Sequence, residues 1–158
     1  MNIFYLDNNP EKCAELHCDK HVVKMIVESA QLLSTAHHVI DGNNAREGIY
    51  KSTHKNHPSA IWARTTDSNY NWLYVLWREL MREYKYRYMK NHACERLIDV
   101  LKKLPYNIEA GSFTPPPLAM PEEFKVSDHI ESYKNYYKGA KAHFAKWTNR
   151  PIPEWFNA

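Results

Sequence analysis

An all-α fold is predicted by three features of this 158-residue sequence. Apolar residues recur at the helical period of about 3.6 in two long stretches, Glu15 to His38 and Asp67 to Lys90. No stretch shows the strict alternation of a half-buried strand. The residues that break helices are concentrated in a few places, above all between Leu104 and Phe124. The length suits a single domain over residues 1–158, one that buries about two thirds of its unfolded surface without needing a metal or disulfide.

The elements follow in order. Asn2 to Leu6 reads as an extended N-terminal arm, closed by the turn and cap residues Asp7, Asn8, Asn9 and Pro10. Pro10 opens a short helix through Cys13 that can run on into the central helix, Glu15 to His38, which Asp41, Gly42, Asn43 and Asn44 end. Residues 45–57 are too polar and irregular for a regular element, and Asn56, His57 and Pro58 form a turn that starts a short helical piece at Ser59. Asp67 or Ser68 caps a second long helix carrying Trp72, Val75, Leu76, Leu80 and Met81 to about Lys90. Ala93 to Leu101 makes a third helix. The proline-rich stretch Leu104 to Phe124 is a long surface loop. Ser127, with a carboxylate nearby, caps a last helix through Trp147, and Asn149 to Phe156 is extended. The sum is three to four main helices.

The central helix carries the pattern that points to function. His17, His21, Lys24, Glu28, Gln31 and Thr35 fall on one narrow stripe, while almost everything else between Val22 and Leu33 is apolar or small. A thin polar line on an otherwise buried helix suits the wall of a cleft. Glu28 sits among Val27, Ser29 and Ala30, where desolvation raises a carboxyl pKa unless a cation is near; Lys24 and His21 on the same face can supply one. Such a carboxylate can stabilise positive charge at a sugar carbon or act as a general base, and it can equally be one half of a structural ion pair with Lys24. His17 and His21, four residues apart, suggest a metal pair, but no second cluster of ligand spacing stands elsewhere, so no metal and no cofactor is expected. His54, Lys55, Asn56 and His57 gather donors ahead of a helix start, as a phosphate seat or as a capping turn.

Composition bounds the partners. A formal charge of +3 permits a nucleic acid without demanding one. Eleven tyrosines, five tryptophans and five phenylalanines, many beside Lys or Arg as in Arg82 to Tyr88, suit the stacking of bases as well as ordinary packing. Three cysteines cannot pair completely, the start lacks a secretory signal and no apolar run is long enough for a membrane, so a cytoplasmic protein with no membrane partner is expected. The absence of a phosphate-binding glycine loop, a nucleophilic serine elbow and a CxxC pair removes several enzyme classes.

Taken together, these residues resemble the pyrimidine-dimer DNA glycosylases, the phage endonuclease V type and its cellular relatives. The seven-residue spacing of His21 and Glu28, the Asn56-His57-Pro58 turn, the second helix rich in Leu, Tyr and Arg, Pro121 to Phe124 (PEEF), and Arg150, Pro151 and Trp155 carry the resemblance in order along the chain. It implies a phage-like, monomeric DNA repair hydrolase acting on double-stranded DNA with a damaged or modified base, with an associated AP lyase step. It further implies that the chain's α-amine attacks the sugar C1′ to form a Schiff base, with Glu28 stabilising the cationic sugar and His21 holding the ring or phosphate. His17, Lys24, Gln31 and the 54–57 segment would bind substrate. This chain departs from the pattern in three places. Asn2 is too large for efficient removal of Met1, which puts the amine on Met1 or takes it out of the reaction; Val27 and Gln31 stand where the family has arginines. Two alternatives remain: a metal-dependent hydrolase using His17, His21 and Glu28, and a non-enzymatic nucleic-acid-binding module.

Overall fold

The N-terminal arm is the strand-like cord around which the helices are tied. In the computed structural model, which describes residues 1–157, Met1 to Leu6 forms no helix, turns tightly where the Leu6 amide donates to the Phe4 carbonyl (3.1 Å), and buries Ile3, Phe4, Tyr5 and Leu6. Asn9 then caps α1 (Pro10–Leu16), its side-chain oxygen accepting from the Glu11 and Lys12 amides, with Pro10 placed where a missing N–H costs nothing.

The expected continuous central helix is broken. α1 ends at His17, whose φ of −64° and ψ of 134° are extended, and α2 (Asp19–Asp41) begins after Cys18. The interruption is held by partners from the far end of the chain. The Cys18 amide donates to the Tyr137 hydroxyl (3.2 Å), the Asp19 amide to the Lys146 carbonyl (2.7 Å), and the Trp147 indole to the Leu16 carbonyl (2.8 Å). Backbone groups that would otherwise have to stay within a helix are thus satisfied from outside it.

α3 (Pro58–Thr65) and α4 (Asp67–Tyr88) follow. Thr66, rather than Asp67 or Ser68, caps α4 by accepting from the Asn69 amide (3.1 Å), because Asp67 is turned to the Gly111 amide (3.1 Å). The helix stops at Met89, whose φ of 57° is left-handed. Val22, Met25, Ile26 and Leu33 of α2 share one core with Tyr70, Leu73, Trp77 and Leu80 of α4. Burying such side chains contributes about 1.5–3 kcal/mol each, so this pair of long helices supplies most of the frame.

Beyond α4 the helices are shorter than expected. Residues Ala93–Leu97 are a 3₁₀ turn leading into the single turn of α5 (Ile98–Leu101). The proline-rich stretch crosses the surface of α3 and α4, tied down where the Thr114 amide donates to Asn69 (3.0 Å) and the Trp62 indole to the Thr114 carbonyl (2.9 Å). α6 (His129–Tyr136), capped by Asp128 and not Ser127, widens into a π turn over Tyr137–Lys141 and does not reach Trp147. A continuous helix would carry Trp147 away from Leu16. Gly139 in the π turn lies against Phe124 so closely that a Cβ would run into the ring. Gly139→Ala is therefore expected to cost about 1–3 kcal/mol, read as a lower urea midpoint. Among the described residues no helix is long and apolar enough to cross a membrane.

Candidate active site

The arm delivers the first residue of the chain to the middle of α2. The Met1 amine lies 3.0 Å from Glu28 Oε1, with the two side chains only 7 % and 15 % exposed. Lys24 Nζ stands 3.7 Å from the other carboxylate oxygen and is mostly in solvent. Glu28 therefore bridges two cations, one enclosed and one open. The ion pair with Lys24 foreseen from the sequence is present, but it is the weaker and more exposed of the two.

His57 joins this pair from the start of α3. Its Nδ1 accepts the Ser59 amide (3.0 Å), capping the helix, which leaves Nε2 as the remaining ring nitrogen. Partial burial, and next the positive charge of the Met1 amine, hold its pKa below the ordinary histidine value, while Glu28 pulls the other way. The stretch that brings it there is fastened to the far half of α2. Thr35 Oγ1 accepts from the Thr53 amide (3.1 Å) and donates to its carbonyl (3.2 Å), Ser34 accepts from the Tyr50 amide (3.2 Å), and His38 donates to the Tyr50 carbonyl (2.9 Å). Thr35, read from the sequence as part of a cleft wall, thus serves as a buried anchor. His54, Lys55 and Asn56 are exposed; His54 is left-handed (φ 50°) with Nδ1 bonded to Thr53 Oγ1 (2.7 Å), and the Lys55 carbonyl accepts from Arg64 (2.7 Å).

His21 does not stand in an open groove beside Glu28. It is 3 % exposed, with Phe4 stacked on its face at 4.0 Å and 15°. Its Nδ1 is 2.7 Å from the Tyr137 hydroxyl. That hydroxyl also accepts from the Cys18 amide, so Tyr137 fastens the imidazole to the start of α2. Burial, and then the positive charges around it, push its pKa down to about 2. The physical reason for the burial is the arm: the Phe4 ring covers the face that the stripe would present. Gln31 is half-buried, and Val27 packs against the core.

His17 caps the end of α1 and lies outside α2. The helix break takes it off the stripe, so it is not one turn from His21 on a common face. It is buried, with Nδ1 donating to the Cys13 carbonyl (2.7 Å) and Nε2 without a partner, and burial pushes its pKa down to about 4. The three-ligand arrangement that a metal-dependent hydrolase would need from His17, His21 and Glu28 is not formed. Among the described residues no group of three His, Cys, Asp or Glu side chains is placed to hold a metal.

These buried rings carry a pH dependence. His37, bonded through Nε2 to the Tyr70 hydroxyl (2.8 Å), is also pushed down to about 4 by burial. A folded-state pKa below the unfolded value of about 6.5 means that the stabilisation is complete above pH 6.5 and is lost as pH falls from there toward 4. The urea midpoint is expected to drop between pH 7 and pH 4.5; an unchanged midpoint would contradict neutral burial of His17 and His37.

Two contributors gave no signal in the sequence. Phe4 and Tyr137 look like ordinary packing residues, and nothing local says that one stacks on His21 and the other bonds to its Nδ1. The direct Met1–Glu28 contact depends on an arm whose path only the folded core defines. A family model for pyrimidine dimer DNA glycosylase matches residues 1–96. Comparison with curated proteins and with solved structures gives no match.

Proposed function

The chain belongs to the pyrimidine dimer DNA glycosylase family, and on that footing we propose that it excises a damaged pyrimidine and cleaves the strand through its own α-amine. A role of the pyrimidine-dimer DNA glycosylase kind, with DNA as substrate, follows from the family itself. The finer reading rests on one observation: the Met1 amine is enclosed 3.0 Å from Glu28 Oε1.

The chemistry that suits this pair is short. To act as a nucleophile the Met1 ammonium must lose a proton, and Glu28 Oε1, 3.0 Å away, is in place to take it. The nitrogen lone pair forms a bond to C1′ as the bond from C1′ to the base breaks, and the base leaves with that electron pair. Positive charge that develops on the sugar faces the Glu28 carboxylate. Opening of the sugar ring gives a Schiff base, and loss of a C2′ proton then expels the 3′ phosphate. His57 supplies a ring nitrogen near the site, His21 backs it from beneath Phe4, and Lys24, Gln31, His54, Lys55 and Asn56 supply polar groups along its rim.

Nicking of ultraviolet-irradiated supercoiled DNA tests this reading. The unmodified protein is expected to convert irradiated plasmid to the nicked form and to leave undamaged plasmid intact. Protein acetylated at the Met1 nitrogen is expected to lose nicking, because the lone pair is withdrawn into an amide. Full nicking by the acetylated protein would remove the amine from the mechanism.

A further inference from the structure

Two lysines from opposite ends of the chain sit on one aromatic ring beside the candidate site. Lys20 of α2 places Nζ 4.7 Å from the Phe144 ring centre, and Lys141 of the π turn places Nζ 4.7 Å from Tyr136 and 6.0 Å from Phe144. Phe144 in turn meets the edge of His21 at 5.6 Å, two helical turns from Glu28. Lys24 stands one turn further along α2 from Lys20, with its Nζ 3.7 Å from Glu28, so the three cations lie between the π turn and the candidate site. Asp19, the acid next to Lys20, is already engaged by Arg87 (2.9 Å) and by Thr148 (2.6 Å). Lys24 has Glu28 at 3.7 Å, whereas Lys20 and Lys141 make no ion pair among the described residues.

Cations gathered at short range repel one another, and a ring face offsets only about 0.5–1 kcal/mol of that at an exposed site. An anion lying across them relieves the repulsion. Lysine heads spaced along a surface, with aromatic rings beneath them, fit the regularly charged backbone of a nucleic acid. Positions 27 and 31 of α2 are Val and Gln, so the charge on this face comes from Lys20, Lys24 and the π turn.

We propose that Lys20 and Lys141, seated on Phe144 and Tyr136, form together with Lys24 the surface that grips the phosphate backbone of duplex DNA beside the Met1–Glu28 site. This rests on the reading that DNA is the substrate, but not on the amine mechanism. The π turn thereby gains a purpose: it sets Lys141 over the rings, where a straight continuation of α6 would turn that side chain elsewhere.

The salt dependence of binding to undamaged duplex DNA tests it, since that measurement needs no excision. Each phosphate contact contributes about 0.9 to the slope of log K against log salt, so K20Q/K141Q is expected to flatten the slope by about 1.8. K20R/K141R is expected to keep the slope of the unaltered protein. K102Q/K103Q makes the same change in net charge near α5 and is expected to leave the slope unchanged. An undiminished slope in K20Q/K141Q, an equal loss in both glutamine pairs, or salt-independent binding by the unaltered protein would overturn the proposal. A flattened slope in a protein that never nicks damaged DNA would instead leave this surface standing and sink the amine mechanism.

Discussion

Glu28→Gln is expected to slow release of the damaged base by about 10²–10⁴-fold, the usual contribution of a positioned acid or base, while duplex DNA binding persists. The amide keeps the shape of the carboxylate and can still accept a hydrogen bond from the Met1 amine, which now sits 3.0 Å from Oε1. It cannot take a proton, and it offers no negative charge to a cationic sugar. Glu28 is 15 % exposed and its neighbours Ser29 and Ala30 are buried, so an isosteric change leaves the packing of α2 intact. The separation of effects is the informative part. If excision and DNA affinity fell together, the carboxylate would be a structural group; if neither changed, Glu28 would be a bystander. Single-turnover excision and equilibrium binding, measured on the same irradiated duplex, distinguish the three cases.

Arg87→Ala carries the largest expected cost in stability, about 3–5 kcal/mol. The guanidinium is fully buried and spends its donors on three partners: Nε to Glu83 Oε1 (2.9 Å), one terminal nitrogen to Asp19 Oδ1 (2.9 Å), and the other to the Glu15 carbonyl (3.0 Å). Glu83 is gripped from its other side by Arg150 at 2.8 and 3.0 Å. This network closes the break between α1 and α2 and ties both to α4 and to the C-terminal segment. Removing Arg87 leaves the buried Glu83 carboxylate with a single cation and Asp19 with Thr148 alone, and strips the Glu15 carbonyl of this donor. Arg87→Lys keeps the charge but not the planar fork, so it is expected to recover part of the loss. Urea unfolding of the two variants checks the order, Ala below Lys below the unaltered protein; equal midpoints for all three would show that the network is ornamental.

These two residues also mark how far the sequence could be read. Glu28 was legible because a carboxylate stands out on an apolar helix, and α2 and α4 were legible because their apolar period is long and regular. His57 was legible as part of a helix-starting turn, since Pro58 and the following apolar residues set its place. The break at His17 was not, because its causes are Tyr137, Lys146 and Trp147, more than a hundred residues away, and local periodicity favours one unbroken helix. For the same reason His17 and His21 suggested a pair on one helix face, whereas the break leaves His17 outside α2. Arg87 read as one more cation in a Tyr- and Arg-rich helix end, and nothing nearby says that it is the buried one. The π turn after Tyr136 was missed because the close approach of Gly139 to Phe124 leaves no trace in an apolar spacing that alone predicts a helix through Trp147.

The most direct measurement of the central claim is borohydride reduction of the protein on irradiated duplex DNA, followed by digestion and mass mapping of the cross-linked peptide. Reduction converts a Schiff base to a stable amine and so records which nitrogen was joined to the sugar. The geometry of Met1 and Glu28 predicts a single adduct on the N-terminal peptide, carried by the Met1 nitrogen. An adduct on an internal lysine, or no adduct where a control glycosylase is trapped, would contradict it.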